Sequence, residues 1–475
     1  MSGITRRTVV VALALLAATT SAITLQRAHG EPPGAVSVRR DFNGDGYEDL
    51  AVAAPSGTVN GRVEAGYVAV LYGAADGLAA HGRKVYSQAS PGVPGSPEKR
   101  DKFGYGLDAA DLDGDGFTDL LVTATGERWQ YGGSEREAGR TVLWGGSGGF
   151  AAGTVLPAIG SSSYQNGEIA TGDFDGDGHQ DLVRSGRVEL GPFTRDGSPA
   201  LVQDAGLVDG ANESVSELAA GDVDGDGITD LVERVIEHGD NDEETSRLCL
   251  RYLRGSQDGL LPYTVLKDAQ GRLAEANGAA LALGDLNGDG RADLVNGFDR
   301  LTISYGTPHG PDASAPVVID QDTPGVPGTQ EAGDSFGGEL AVGDVDGDGY
   351  GDILAGNASE GVGTVTPTGT IAVVPGGPHG PTGAGTQVFS QNSAGVPGVA
   401  ERADAFGSAL DLVDGNGDGR AEPVVGAYGE NSGDGAVWVF RATSAGATPT
   451  GSFAFGARTL GTVVDGGWLG HTLPH

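Results

Sequence analysis

The chain has 475 residues, with 65 Asp+Glu against 29 Lys+Arg and a formal net charge of −36 at pH 7. So large an acidic excess argues against nucleic acid as a partner. The single cysteine, Cys249, excludes an intrachain disulfide framework, and its setting in Leu248-Cys249-Leu250 fits a packed strand position. Glycine is the other outlier, at 85 residues against a usual share of about 7%, and it follows no collagen period.

In chain order, residues 1–30 come first. They hold Arg6, Arg7 and Arg27, an apolar run from Thr8 to Ala18, then small residues. This reads as a cleaved secretory signal. The alternative, an uncleaved anchor, meets a run shorter than the roughly 20 residues a spanning helix needs. Arg6-Arg7 is also compatible with twin-arginine export. The mature chain, 31–475, is expected to be extracellular, monomeric and without a membrane span.

From residue 41 onward one nine-residue phrase recurs seven times: acid, any, Asp or Asn, Gly, Asp, Gly, any, any, acid. The oxygen-bearing positions 1, 3, 5 and 9 are Asp41, Asn43, Asp45 and Asp49 in 41–49, and Asp111, Asp113, Asp115 and Asp119 in 111–119. They are Asp173, Asp175, Asp177 and Asp181 in 173–181, and Asp222, Asp224, Asp226 and Asp230 in 222–230. They are Asp285, Asn287, Asp289 and Asp293 in 285–293, and Asp344, Asp346, Asp348 and Asp352 in 344–352. The last copy, 414–422, has Asp414, Asn416, Asp418 and Glu422. The spacings of 70, 62, 49, 63, 59 and 70 residues describe a repeat architecture.

Carboxylates at alternate positions of a tight loop converge, and a backbone carbonyl at position 7 with the acid at position 9 would complete a shell of hard oxygens. This donor set suits Ca²⁺, and with no His or Cys at a ligand position it does not suit zinc or copper. Up to seven Ca²⁺ ions are expected, with a structural role. An EF-hand would need Glu at position 12 and flanking helices. Position 12 is Val52, Val122, Arg184, Glu233, Asn296, Ala355 and Val425, so the loop belongs to a β-hairpin.

Short β-branched or aromatic runs bounded by glycine (Tyr67–Tyr72, Thr141–Trp144, Ile371–Val374, Ala436–Phe440) make this an all-β chain. Three repeats open with Phe103-Gly-Tyr-Gly-Leu107, Phe336-Gly-Gly-Glu-Leu340 and Phe406-Gly-Ser-Ala-Leu410. Each follows a loop, Pro91–Gly95, Pro324–Gly328 or Ala394–Gly398, and an aspartate, Asp101, Asp334 or Asp404. Repeats three to five keep a shorter opening. In the clearest repeat the cation loop joins Phe406–Leu410 to Pro423–Ala427. Ala436–Phe440 follows, and a fourth strand is expected within 450–456. Four short strands per sixty-odd residues, seven times over, predict a seven-bladed β-propeller with a calcium-binding hairpin loop in each blade. Leu469-Gly470-His471-Thr472-Leu473 resembles the opening phrase with no loop after it. It is expected to dock beside Ala35–Arg39 and close the ring.

The Phe-Gly openings, the seven acidic loops and the segments Ala53-Ala-Pro55, Leu354-Ala-Gly356 and Val425-Gly-Ala427 resemble the FG-GAP repeats of the integrin α-subunit propeller and its bacterial relatives. The resemblance spans roughly 36–475. It implies a seven-bladed propeller with calcium between the first two strands of a blade. Integrins hold such loops in only some blades, whereas here all seven carry one.

No catalytic constellation emerges. Gly145-Gly-Ser147-Gly-Gly149 matches a nucleophile elbow formally, but it sits where other repeats place a turn. The eight histidines are scattered. Two functions are carried forward: a binding or adhesion-type module for an extracellular protein, cell-surface or glycan ligand, and an extracellular carbohydrate-active enzyme on a propeller. Trp129, Tyr131, Tyr164 and Tyr428 are candidates for stacking on a ligand. Residues 233–244 read as a solvated acidic insertion, and Asn212 and Asn357 begin glycosylation sequons.

Overall fold

The structure, a computed structural model, describes residues 40–78, 82–131, 134–157, 169–184, 186–204, 213–238, 246–276 and 278–474, with backbone alone at 127–131 and 134–138. The expected signal (residues 1–30), Ala35–Arg39, Tyr164, Asn212 and residues 239–245 lie outside these, as do the rings of Trp129 and Tyr131.

Seven antiparallel sheets follow one another along the chain, each in sequential strand order. Blade 1 holds Leu50–Ala54, Tyr67–Leu71 and Arg83–Tyr86. Blade 2 holds Phe103–Ala110, Asp119–Tyr131, Ser134–Trp144 and Ala152–Val155. Blade 3 holds Ile169–Gly172, Asp181–Arg184, Arg187–Leu190 and Leu201–Gln203. Blade 4 holds Glu213–Gly221, Asp230–Glu237, Arg247–Leu253 and Thr264–Val265. Blade 5 holds Ala280–Gly284, Asp293–Gly297, Leu301–Ser304 and Val317–Ile319. Blade 6 holds Glu339–Gly343, Asp352–Asn357, Thr370–Val374 and Gln387–Phe389. Blade 7 holds Ala409–Val413, Glu422–Ala427, Ala436–Thr443 and Gly446–Gly456. The expected fourth strand of blade 7 is thus longer than 450–456 and begins in a hairpin with Ala436–Thr443.

The core lies between blades. One cluster packs Phe42, Val68 and Phe103 across blades 1 and 2. Others join Trp144 with Leu182, Phe174 with Leu231, and Val232 with Leu294. Ile303 meets Ile353, and Leu354 meets Trp438. A further cluster joins blade 7 to blade 1 through Val413, Val437, Leu50 and Ala69. Each sheet buries both faces this way, so its strands read as apolar runs rather than alternations. The whole is a seven-bladed β-propeller.

The ring closes through the C-terminal segment. The Ala53 amide donates to the Thr472 carbonyl and the Gly470 amide to the Ala53 carbonyl, both at 3.0 Å. Counting from the last acid of each loop, Ala53 stands where Thr123 stands in blade 2, and Thr123 pairs with Gly106. Leu469-Gly470-His471-Thr472 therefore occupies the place of Phe103-Gly104-Tyr105-Gly106. Leu469 and Leu473 are fully buried. From the other side of the seam, Arg40 donates to both Asp411 carboxylate oxygens at 2.7 Å.

Other expectations resolve locally. Gly145–Gly149 is a turn, closed by the Gly149 amide on the Gly146 carbonyl at 2.7 Å, as a hairpin requires and an elbow does not. Cys249 is buried with Val215 and Val235. The acidic stretch is not all solvated. Glu233 lies inside a continuous strand, fully buried and opposite Arg251 in the register, because the strand pair places the guanidinium within 3.7 Å of it. Asn357 is also buried, accepting from the Ser335 amide and donating to Glu360 at 2.9 Å, which withdraws its sequon from the surface.

Candidate metal centres

Each acidic loop is held first by its own side chains. The position-1 aspartate accepts from the amide of position 6 in all seven copies, as Gly46 donates to Asp41 at 2.7 Å and Gly419 to Asp414 at 2.8 Å. The position-5 aspartate accepts from the amide of position 7 in all seven, as Tyr47 donates to Asp45 at 3.1 Å. To present those amides inward the backbone turns left-handed twice. Gly44 and Gly46 have φ of 73° and 92°, and the equivalent pairs in the other loops are also positive. Only glycine takes such angles without strain.

Position 9 has a second task. Asp49 accepts from the Phe42 amide at 2.9 Å with one oxygen and from the Gly73 amide at 2.8 Å with the other. It ties the start of its loop to the segment just after Tyr67–Leu71. Asp119, Asp181, Asp230, Asp293 and Asp352 make the same pair of bonds. Glu422 differs, with its longer side chain reaching the Gly415 amide and the Asn416 side chain. All these groups are buried, and desolvation pushes their carboxyls up. Asp49, Asp181, Asp230, Asp293, Asp352 and Glu422 rise to about 7 and Asp119 to about 8.

The sequence-predicted ligands converge most closely in four loops. Carboxylate oxygens of Asp111, Asp113 and Asp115, and of Asp344, Asp346 and Asp348, lie within 4.8 Å of one another. So do those of Asp173, Asp175 and Asp181, and of Asp222, Asp224 and Asp230. Asp113 Oδ1 is buried without a hydrogen-bond partner. All-oxygen sets of this size fit a hard divalent cation. The loops are not equivalent, however. In blade 2, Arg195 pairs with Asp113 and Asp115. In blade 4, Arg254 pairs with Asp224 and Asp226. Arg291 and Arg420 each pair with a single position-5 carboxylate, Asp289 and Asp418.

At the opposite end of the blades the aspartates after the Pro-Gly loops act as turn locks. Asp334 and Asp404 accept from the amides of Glu331 and Glu401 at 2.6 Å, and Asp101 from that of Glu98. Glu331, Asp334 and Glu360 form a further carboxylate group within 4.8 Å that the repeat motif does not announce. Its sequence signal is the recurrence of Gln321, Glu331, Asp334 and Glu360 at the spacing of Gln391, Glu401, Asp404 and Glu430.

A family profile described as FG-GAP repeat matches residues 33–71, 103–144 and 336–374. These three segments of the chain are FG-GAP repeats. It is 34% identical over 112 residues to integrin alpha-IIb of Mus musculus, covering 23% of this chain and 10% of that protein. It is 37% identical over 105 residues to integrin alpha-IIb of Homo sapiens, covering 22% and 9%. The chain thus spans about a tenth of the length of the curated relatives it matches. Among solved structures it is similar to a Bacillus licheniformis rhamnogalacturonan lyase (TM-score 0.31, 13% identity, 90% of this chain and 70% of the other). A second is the exotype rhamnogalacturonan lyase YesX (TM-score 0.28, 15% identity, 86% and 70%). Among the described residues, no helix is long and apolar enough to cross a membrane.

Proposed function

We propose that this FG-GAP chain is an extracellular, calcium-stabilised propeller that works as a binding module for a protein, cell-surface or glycan ligand. The observation that carries the reading is the division of labour between its two ends. Every copy of the acidic loop lies at one end of the blades, with the same hydrogen bonds from positions 1 and 5 to its own backbone. That repetition suits a structural ion: Ca²⁺ accepts six to eight oxygens and tolerates irregular geometry. Positions 1, 3, 5 and 9 would hold it. Bound calcium would neutralise charges that otherwise repel one another across each loop. The other end, where the blades open and the Pro-Gly loops gather, is left for ligand, with a hollow of about 260 Å³ lined by Phe298, Ser335, Glu339 and Ser408.

Two measurements test the reading. Melting followed with calcium and with EDTA should show a fall of well over ten degrees on chelation; an unchanged melting temperature overturns the structural role of the ion. A glycan and protein array probed with the calcium-loaded chain should return a ligand that remains intact. Depolymerisation of a polysaccharide during the incubation overturns the binding-module reading.

A further inference from the structure

Four aromatic rings meet around the ring-closing segment, at the end opposite the acidic loops. Trp468 and His471 stack in parallel, with centroids 5.7 Å apart and an interplanar angle of 7°. Tyr428, from the loop after the second strand of blade 7, lies 5.9 Å from Trp468 and 5.8 Å from His471. Tyr105, from the first strand of blade 2, lies 5.4 Å from His471. Tyr105 is more than three hundred positions from the other three in sequence and meets them because the C-terminus fills the inner place of blade 1. Tyr105, Tyr428 and Trp468 each remain 37% exposed, so their packing into the core does not account for them.

The cluster is held rigidly. Trp468 donates its amide to the Gly433 carbonyl at 3.0 Å and accepts from the His471 amide at 3.1 Å. It does so at φ +58°, and the nearby Lys102 sits at φ +54°. Left-handed angles are unfavourable for such side chains and tend to gather at functional sites. The Lys102 ammonium stands 5.7 Å from the Tyr105 ring centroid and 6.0 Å from that of Trp468, a cation–π arrangement. In a chain with 65 acids and 29 bases, Lys102 has no ion-pair partner among the described residues.

We propose that Trp468, Tyr428, Tyr105 and Lys102 form a binding platform for an anionic sugar, a uronic-acid residue of a polysaccharide. This rests on the binding-module reading and names its ligand class. An apolar surface with a few convergent polar groups is the usual make-up of a ligand site. The flat, apolar face of a pyranose ring covers Trp468 and Tyr428, whose indole N–H and phenol groups reach its hydroxyls. The sugar carboxylate supplies the counter-charge that the protein withholds from Lys102. A neutral peptide or glycan would leave that ammonium unpaired.

The test is calorimetric titration of the full calcium-loaded chain with hexagalacturonate, its methyl ester and cellohexaose. Hexagalacturonate should bind at least tenfold more tightly than either neutral probe. Tyr428→Ala and Trp468→Ala should each weaken it tenfold or more. Lys102→Gln should weaken hexagalacturonate about tenfold and leave the methyl ester unchanged. Trp468 lies in the closing segment, so Tyr428→Ala, outside it, decides the matter if Trp468→Ala lowers the melting temperature. Equal affinity for charged and neutral probes, or unaltered binding by Tyr428→Ala, overturns the proposal. If hexagalacturonate fails while an array returns a protein ligand, the platform falls and the binding module stands. If neither binds, both fall.

Discussion

A Cβ placed on Gly417, in the acidic loop of blade 7, would lie 3.4 Å from the ring of Tyr47 in the loop of blade 1. The same relation holds between each pair of neighbours. Gly44 faces Phe117, Gly114 faces His179, Gly176 faces Ile228, Gly225 faces Arg291, Gly288 faces Tyr350 and Gly347 faces Arg420. Position 4 of one loop is the seat for position 7 of the next, and the seventh seat takes the first residue. The loops thus form a closed belt, to which backbone bonds add. Thr118 donates its amide to the Asp41 carbonyl at 3.0 Å, and Ala421 to that of Asp344 at 2.8 Å. An ion that orders one loop also orders the seat of its neighbour.

At the other end the closure depends on Gly435. A Cβ there would stand 2.3 Å from both the amide nitrogen and the carbonyl oxygen of Leu469, and φ is +79°. Gly66 stands in the same way against Phe103, and Gly369 against Phe406. Gly435→Ala is expected to destabilise by about 2–4 kcal/mol, since backbone must move as well as strain. Gly461→Ala is the control: φ is +76° but nothing lies within 4 Å, so it should cost only about 1 kcal/mol of left-handed strain. Urea unfolding of both variants decides it, and equal losses would show that the Leu469 contact is dispensable.

The buried position-9 acids give the stability a pH dependence. Desolvation raises their carboxyls to about 7, or about 8 for Asp119, against about 4 in the unfolded chain. A carboxyl whose folded pKa is raised binds its proton more tightly when folded. Without cation the fold therefore loses stability as pH climbs from about 4 to about 8, and the loss levels off above that. Bound calcium would offset the charge, and at twenty times its Kd would add about 1.8 kcal/mol per site by linkage. The calcium-induced rise in melting temperature is expected to be larger at pH 8 than at pH 5.5. A rise independent of pH would remove the position-9 carboxylates from the coupling.

The acidic loops were legible in the sequence because their structure is local. Asp41 bonds to residues three to five positions on, so composition and spacing carry the geometry. The blade count followed, since one loop marks one blade. The closing strand was half legible. Leu469-Gly470 copies the opening phrase, but its pairing with Ala53 is a tertiary fact. Nothing local announces that Tyr105, Tyr428, Trp468 and His471 meet, or that Arg195 of blade 3 lies on the loop of blade 2. Glu233 was read as solvated because its charge is visible in sequence and its partner across the strand pair is not.

In blade 7 the Phe-Gly opening and the Pro-Gly loop share one tryptophan. Phe406 meets Trp438 edge-on at 5.2 Å, and the Trp438 indole donates to the Pro397 carbonyl at 2.8 Å. Both rings are buried. Phe406→Ala should destabilise by about 3–5 kcal/mol through the cavity it leaves. Trp438→Phe should lose about 1 kcal/mol for the hydrogen bond and a comparable amount for packing. Denaturant midpoints with an unchanged m-value would confirm both as losses of native stability.

The arginines on loops 2 and 4 set an order of cation affinity. Arg254 contacts Asp224 and Asp226, and Arg195 contacts Asp113 and Asp115, which are positions 3 and 5 of their loops. A cation must displace these guanidiniums or share its carboxylates with them. The loops at 41–49, 173–181 and 344–352 show no such bridge among the described residues. The side chains of Arg195 and Arg254 are 49% and 46% exposed, so solvent screens each pair and breaking it costs only about 0.5–1 kcal/mol. The titration should therefore resolve at least two classes of site, separated by a few-fold in Kd. Arg254→Gln should move one site from the weaker class to the tighter one and Arg195→Gln another, with the total number unchanged. Terbium luminescence read through displacement by calcium reports both the number and the class. If Arg254→Gln left the weak class intact, the guanidinium would be a bystander to cation binding.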